Sequence, residues 1–367
     1  MEIETNFKNE KNNTTSDTTK DNIFHFSMYI KPLIIIFVLL IGYKAPIIDR
    51  LFEHYEILFQ SFLNSLKKNN IKKYHLNKDP NFEYFYCFCA MGRKENLYLR
   101  ELINYYINLG VEKFVFGDNN SPDTEKMSDV LQDYINNGTV DIIDIIGNRI
   151  GQGEFYGIMY QKYKNRCKWL SFFDFDEYLV MNFEVGKHIS VQEYLSNKIF
   201  DKCDVVLINW LMYGDNDYVY YNKNPLKDRF TKPDFFNYAN KFVKSIVRGN
   251  INKKVFGYRS SCHMPNDNLR LCNSIGEKAN YIVDIVYPPV LDYAYLAHFN
   301  TKTSEEFVEK TNRGLPGKKN HPRNIRDSIR LFFNHNKFSR KKMEMFSKKF
   351  NLSYDKKEIF NKYKLIK

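Results

Sequence analysis

Three carboxylates lie in the middle of a run that is otherwise hydrophobic and aromatic, WLSFFDFDEYLVMNF at residues 169–183. They are Asp174, Asp176 and Glu177. Burying one unpaired carboxylate is costly, so three together need a nearby cation or a position at a strand end. Carboxylate oxygens are hard ligands that suit Mg²⁺ or Mn²⁺, and such a metal can hold a diphosphate. The run therefore predicts a site for a metal and a diphosphate.

The segments around this run alternate between strand and helix patterns from residue 82 onward. Apolar residues recur at helical spacing, and Gly110 and Gly138 stop the first two predicted helices. Strands are predicted at 82–90, 111–118 and 139–146, with helices after each, the last at about 152–166, and a fourth strand at 168–180. This alternation predicts parallel strands joined by crossovers, that is, an open α/β sheet flanked by helices.

An open α/β sheet binds ligands beyond the carboxyl ends of its strands. Asp174 and Asp176 follow five apolar or small residues, near the carboxyl end of the fourth predicted strand. Residues i and i+2 of a strand share a face, so both aspartates are expected to point the same way at this ligand-binding edge.

The first 80 residues lie outside this alternation and divide into three predicted parts. Residues 1–22 are polar and are expected to be disordered. Residues 23–49 contain the uncharged run PLIIIFVLLIGY and no small-residue cleavage site, which predicts an uncleaved signal anchor that spans a membrane once. A buried helix is the alternative, and the balanced flanking charges leave the orientation open. Residues 50–80 are expected to form a stem.

The net charge of +12 resides at the carboxyl-terminal end, where residues 301–367 hold 19 Lys and Arg against 7 Asp and Glu. We expect residues 316–367 to form a basic helical extension. Such charge suits a nucleic acid, an acidic membrane surface or a phosphorylated ligand, and a solvated helical surface explains it as well. No nucleic-acid-binding motif accompanies it, so no nucleic-acid partner is expected.

Six cysteines are too few for a disulfide scaffold at this length. Their spacing does not suit a zinc site. Cys262 and Cys272 could pair if the compartment is oxidising, and the sequence does not decide this.

Six elements, in order, make the chain similar to a known family. They are CFCAMGRKENLYLRELINYYINLGVEKFVFGDNNSPD, GQGEFYGIMYQKY, WLSFFDFDEYLV, INWLMYG, KFVKSIVR with a later CHMP, and YLAHFNTKTSEEFVEKTNRG. The third resembles the D-x-D-E element of nucleotide-sugar glycosyltransferases with the GT-A fold. The chain more narrowly resembles glycosyltransferase family 92 and related family 2-like proteins, from about residue 84 to 315. This implies a GT-A domain at 81–315.

The resemblance implies a role for each matching residue. Asp174 and Asp176 would bind the metal, Glu177 would support their geometry, and either His263 or His298 would be a third ligand. The contacts with the UDP-sugar would come from Arg93, Glu95, Asp118, Ser121, Asp123, Gln152, Tyr156 and Lys244. For Asp118 alone, a turn and helix cap is the alternative.

The acceptor side is expected near NWLMYGDND at 209–217. Trp210 offers a flat face for a sugar ring, although a core tryptophan is equally compatible. The family is thought to invert, which needs one general base. We assign this role to Asp215, while Asp217, Asp284 and Asp292 are also available.

The resemblance implies an enzyme that uses Mn²⁺ or Mg²⁺ and moves a hexose, galactose by analogy, from a UDP-sugar to a glycan hydroxyl. The acceptor would sit on a protein, a lipid or a polysaccharide. The alternative is a non-catalytic, membrane-tethered module of the same fold that binds glycan or phosphate. In a eukaryotic host, we expect a type II membrane protein that faces the Golgi lumen. In any other host, we expect the protein at the cytoplasmic face of a membrane.

Overall fold

A computed structural model describes residues 79–120, 124–145, 150–182, 189–252, 255–256, 268–282, 284–314 and 324–352. All of them belong to one compact unit, Ile57–Lys367. The predicted disordered tail, membrane anchor and stem lie outside the described residues. Within the described ranges, no helix has the length and apolar character needed to cross a membrane.

The first half of the sheet consists of parallel strands joined by helices, as the sequence predicts. Its strands pair in the order β3-β2-β1-β4. Along the chain the elements are β1 (Tyr84–Gly92), α1 (Asn96–Asn108), β2 (Lys113–Asp118), α2 (Met127–Asn136), β3 (Val140–Asp144), α3 (Gln152–Tyr163) and β4 (Cys167–Phe172). Gly110 and Gly138, which follow α1 and α2, have positive φ angles of 91° and 79°, as helix-ending glycines often do.

The second half of the sheet is mixed and continues from β4 in the order β8-β6-β12-β5. Strand β8 is antiparallel to β4 and β6, β12 is parallel to β6, and β5 is antiparallel to β12. The elements are β5 (Glu177–Asn182), α4 (Val191–Leu195), β6 (Val205–Tyr213), α5 (Leu226–Arg229), β7 (Pro233–Asp234), β8 (Val243–Arg248), β9 (Leu271–Cys272), β10 (Tyr281–Ile282), β11 (Ile285–Val286) and β12 (Tyr293–His298). The predicted open α/β sheet flanked by helices is confirmed.

The fourth predicted strand, 168–180, is wrong in one respect, because the structure divides it into β4 and β5. The four residues between them, Phe173–Asp176, carry the chain from β4 to the far edge of the sheet. The aspartates therefore lie in a connection and not at i and i+2 of one strand. Their predicted place beyond the end of β4 is correct.

Three helices follow the sheet: α6 (Ser304–Asn312), α7 (Ile325–His335) and α8 (Arg340–Lys349). They pack on one another through a separate apolar cluster built around Phe307, Phe332 and Phe346. The Phe307 and Phe332 ring centroids are 5.0 Å apart. The basic carboxyl-terminal segment thus has its own core where it is described, with most of its charges on the outside.

Two disulfides link neighbouring parts of the sheet. Cys87 in β1 pairs with Cys167 in β4, and Cys203 pairs with Cys272 in β9. The suggested pairing of Cys262 with Cys272 is therefore wrong, because Cys203 lies where the chain enters β6 beside β9. Within the described residues, the chain thus uses two pairs of cysteines as cross-links.

Candidate active site

The acidic segment Asp174–Glu177 lies at the carboxyl-terminal edge of the sheet. Strands β4, β6 and β12 all run toward this edge, since β4 and β6 are each antiparallel to β8 and β12 is parallel to β6. His298, the last residue of β12, pairs with Glu177 on one side and with Met212 of β6 on the other. The backbone N–H of Phe299 donates to the Asp176 carbonyl at 2.9 Å. Sheet pairing therefore fixes the carboxylates and the histidine at one place.

Asp174 is held from two sides. The ammonium of Lys244, at the start of β8, lies 2.7 Å from Asp174 Oδ2, and the Lys244 side chain is fully buried. Gln152, the first residue of α3, donates from Nε2 to Oδ1 at 2.6 Å. Gln152 Nε2 also donates to the Tyr156 hydroxyl, which donates in turn to the Phe173 carbonyl. Lys244, Gln152 and Tyr156, which are predicted to contact the UDP-sugar, therefore lie at the acidic segment, and Tyr156 is fully buried.

Asp176 is paired with a cation that the sequence analysis did not single out. The Lys310 ammonium, on α6, lies 2.7 Å from Asp176 Oδ2 and also donates to the carbonyl and the side-chain oxygen of Asn300. His298 Nε2 is 3.6 Å from Asp176 Oδ1. Burial alone would raise the pKa of Asp176, but Lys310 and His298 hold it well below its ordinary value. Asp176 is therefore ionised at neutral pH.

Glu177 is completely buried and contacts the backbone of the segment. Its Oε2 accepts the backbone N–H of Asp174 at 2.8 Å, while its Oε1 makes no hydrogen bond and lies 3.5 Å from the Lys244 ammonium. Burial, reinforced by the neighbouring carboxylates, raises the pKa of Glu177 to about 8 despite the opposing effect of Lys244. This carboxyl is mainly protonated at neutral pH.

His298 faces the carboxylates in its neutral form. Burial lowers its pKa, and the adjacent Asp176 offsets only part of that effect. The half-buried Trp210 stands against it, with ring centroids 4.3 Å apart. Trp210 is thus a wall of the site and part of its packing.

The donors present suit a divalent cation in their chemistry. Asp176 offers an ionised oxygen and His298 a neutral imidazole nitrogen, the form that ligates metals. Among the described residues, the buried Oε1 of Glu177 has no hydrogen-bond partner, but this carboxyl is mainly protonated and adds no charge to such a site. Asp174, however, is engaged by Gln152 and Lys244. In the described ranges, no group of three or more His, Cys, Asp or Glu side chains is arranged to hold a metal, and His263 lies outside those ranges.

A second charged cluster surrounds Glu95, which directly precedes α1. Its Oε1 forms an ion pair with Arg313, and its Oε2 lies 3.5 Å from the Lys302 ammonium. Arg313 also donates to the carbonyl of Arg93 at 2.9 Å. Glu95 is 4% exposed, so it anchors the segment after β1 to the region around α6. Both carboxylate oxygens of Glu95 thus face cations, and its contact with the nucleotide stays a prediction.

Asp118 has a structural role. Its Oδ1 accepts the backbone N–H of Asn120 at 2.9 Å, and its Oδ2 accepts that of Met127, the first residue of α2, at 2.7 Å. With 1% of its surface exposed, it forms an Asx turn and caps a helix. These contacts match the alternative of a turn and helix cap, and a contact of Asp118 with the nucleoside stays a prediction. Ser121 and Asp123 lie outside the described residues.

The candidate general bases differ in environment. Asp215 is buried, and its Oδ2 lies 2.7 Å from the ammonium of Lys342, on α8. Burial raises the pKa of Asp215, and Lys342 opposes this only partly. Asp217 lies 3.0 Å from the same ammonium, but 60% of its side chain is exposed and its pKa is lowered, first by that hydrogen bond. Burial also raises the pKa of Asp284, and Asp292 is buried.

Three cations at this edge were not singled out from the sequence: Lys302, Lys310 and Arg313. Lys310, in the last turn of α6, and Arg313, which caps the carboxyl-terminal end of that helix, are three residues apart and lie on the same side of it. The signal available was a basic pair at helical spacing in KTSEEFVEKTNRG, shortly after His298. Together with Lys244, these cations face the carboxylates of Glu95, Asp174 and Asp176 at this edge.

The glycosyltransferase family 92 profile matches residues 82–366. The predicted family is confirmed, and the match includes the carboxyl-terminal helices, which the resemblance seen in the sequence had left out. A search of curated proteins gives no match.

Among solved structures, three crystal structures of S. aureus TarS are similar to parts of the chain. One has 16% identity and a TM-score of 0.28, covering 35% of this chain and 22% of that one. TarS residues 1–349 in complex with UDP gives 17% identity, a TM-score of 0.27, and coverage of 35% and 36%. TarS residues 1–349 without UDP has 14% identity and a TM-score of 0.31, and the match covers 62% of this chain and 64% of that one. The chain thus spans less than two thirds of each, and TM-scores this low carry no argument.

Proposed function

Because this chain belongs to glycosyltransferase family 92, we propose that it is a GT-A-type enzyme that moves a hexose from a UDP-sugar to a glycan hydroxyl. The observation that carries the proposal is the acidic segment Asp174–Glu177 beyond the end of β4, with His298 beside it and cations facing it. Galactose is the expected hexose by family analogy alone. A non-catalytic glycan- or phosphate-binding module is the alternative.

Asp176 and His298 are the residues that would hold a divalent cation, Mn²⁺ or Mg²⁺, with Asp174 available if Lys244 moves to another anion. When bound, the metal supplies positive charge that stabilises the leaving diphosphate. Lys244, Lys302, Lys310 and Arg313 line the same edge through their contacts with Asp174, Glu95 and Asp176. These cations are placed to bind the diphosphate and to offset its charge as the bond to the sugar breaks.

An inverting transfer needs a base that takes the proton of the acceptor hydroxyl. Asp215 stays the proposed base, because burial raises its pKa toward the range that suits proton transfer. Its ion pair with Lys342 would hold the proton-accepting oxygen in place. Asp217, exposed and two residues away, is the competing candidate. Replacing each by Asn separately, and measuring kcat against the acceptor, distinguishes them.

The two disulfides support a compartment that keeps cysteines oxidised. Together with the anchor predicted at 23–49, they favour a type II membrane protein that faces the Golgi lumen in a eukaryotic host. A cytoplasmic-face location would leave these disulfides exposed to reductants. Non-reducing peptide mapping of the protein from its native membrane tests this part of the proposal.

The experiment that tests the proposal is release of UDP from a panel of UDP-sugars, with and without Mn²⁺. Asp174→Ala/Asp176→Ala is the loss variant, and Asp201→Ala, an exposed acid elsewhere, is the matched control. Mn²⁺-dependent release from one donor, lost in the double variant and kept in the control, supports the transferase. If no donor is turned over and calorimetry finds no Mn²⁺-dependent UDP binding, the proposal is wrong.

A further inference from the structure

A cavity of about 540 Å³ lies between the loop after β6 and the segment that joins α7 to α8. Its volume is within the range of small-molecule sites. We call it the lysine pocket. Its walls come from residues 217–222 on one side and residues 337–341 on the other. The described contacts of the acidic segment do not include these residues, so this is a separate site.

The lysine pocket combines flat aromatic surfaces with polar groups. Tyr218 and Tyr220 are 43% and 54% exposed, and Phe338 lines the opposite side. Asn222 and Ser339 add an amide and a hydroxyl. Large exposed aromatic rings beside hydrogen-bonding groups suit a sugar ring, which presents C–H groups on its faces and hydroxyls at its edges.

Two lysines give the lysine pocket its charge. Lys337 and Lys341 are both exposed, and the Lys341 ammonium lies 5.5 Å from the centroid of the Tyr220 ring. Neither lysine takes part in an ion pair within the described part of the chain. The acidic lining residue, Asp217, is already paired with the buried Lys342. The two lysines are thus available to an anion.

Hydrogen bonds and one ion pair connect the lysine pocket to the candidate active site. Lys342 joins Asp217 to Asp215, and the backbone N–H of Asp215 donates to Asn336 at 2.6 Å. Asn336 donates to the hydroxyl of Thr301, three residues after His298. A ligand in the pocket would thus lie next to the loop that carries the proposed base, on the acceptor side.

We propose that the lysine pocket binds a negatively charged sugar unit of the acceptor glycan. The proposal rests on the proposed function, since it assigns the pocket to the acceptor of that reaction. It accounts for basic charge on α8 that the donor site does not use. The shared chemistry is an anionic group on a pyranose, either a carboxylate or a phosphate.

The test is direct binding by calorimetry with the full-length chain and no donor. The probes are a trisaccharide ending in glucuronic acid, the same trisaccharide ending in glucose, and the glucose form with a 6-phosphate. Lys337→Gln/Lys341→Gln is the test variant. Lys348→Gln/Lys349→Gln removes the same charge from exposed positions at the other end of α8 and is the matched control.

We expect the charged trisaccharides to bind about tenfold more tightly than the neutral one, and this preference to disappear in the test variant only. The tighter-binding of the two charged probes shows whether the pocket prefers a carboxylate or a phosphate on the sugar. Equal binding of charged and neutral probes, no binding of any probe, or equal loss in both variants would overturn the proposal. Failure of wild-type protein to release UDP, with the lysine-dependent binding intact, would count against the proposed function and leave the pocket assignment standing.

Discussion

Gly92 is the position where one added methyl group should reach the acidic segment. It is the last residue of β1, and a Cβ built there overlaps the ring of Phe175, between Asp174 and Asp176. The ring is 2% exposed and packs edge-on against Phe116 with centroids 5.0 Å apart. Gly92 is not among the glycines with positive φ, so Gly92→Ala acts through packing alone.

The size of the effect follows from the overlap. Ordinary carbon–carbon contact lies near 3.5–4.0 Å, so the ring must move by about 1 Å to admit the methyl group. Overpacking of this kind costs about 1–3 kcal/mol of stability. Because a 1 Å misplacement of catalytic groups can lower a rate about 100-fold, we expect Gly92→Ala to reduce kcat for UDP release by about that factor.

The assay is the rate of metal-dependent UDP release, with urea unfolding measured on the same samples. Gly157→Ala, inside α3, is the control, since its added Cβ meets nothing closer than 3.7 Å. It should leave the rate unchanged and stabilise the helix by about 0.5–1 kcal/mol. Gly92→Ala/Phe175→Leu, which makes room for the methyl group, should recover part of the rate. A Gly92→Ala enzyme with full activity would refute the reasoning.

Three further predictions concern stability. Glu306→Gln leaves the buried Arg229 without its counter-charge and should lower the free energy of unfolding in urea by about 3 kcal/mol. The control is Glu309→Gln, at an exposed position on the same helix, which should leave the stability unchanged. Burial raises the pKa of Glu306, but hydrogen bonds from Arg229, Tyr98 and Thr303 lower it by more. The ionised carboxylate therefore stabilises the folded protein at pH values above the pKa of Glu306 in the unfolded chain. This stabilisation is lost as the pH falls through its pKa in the folded protein. Unfolding between about pH 5 and 3 should therefore be less pH-dependent in Glu306→Gln, and an unchanged slope would contradict this. Replacing Cys203 and Cys272 by Ala opens a loop of 69 residues and should cost about 4 kcal/mol, which a scan of melting temperatures under non-reducing conditions would detect. Asp118→Asn should cost about 1–2 kcal/mol through lost capping, with KM for the donor unchanged, and a raised KM at unchanged stability would restore its nucleoside role.

The strands and helices up to residue 172 could be predicted because each is a local pattern with a local stop. The division of 168–180 into β4 and β5 could not, since Phe173 and Phe175 continue the apolar pattern between the aspartates and no Gly or Pro interrupts it. Only the pairing of β5 with β12, more than 100 residues later, separates the two strands. A single sequence contains no sign of that distant partner.

The candidate site shows the same division between local and distant information. Asp174, Asp176, Glu177 and His298 could be predicted as a group from residue chemistry and family motifs, and the structure brings them together. Lys310 could not be placed from its sequence, because its contact with Asp176 depends on how α6 folds back over the sheet. For Asp118, the local alternative of a turn and cap accounts for its contacts, while the role taken from the family stays a prediction.

The acidic connection between β4 and β5 also has a mechanical consequence. Strand β5 is the last strand on its side of the sheet, and the residues that lead into it are those expected to touch the donor. A ligand that binds this segment only when it is folded stabilises the folded state, and with it the attachment of β5 to the sheet. Bound substrate would therefore hold β5 in place at the edge of the sheet. Without substrate, we expect local unfolding to begin at this strand.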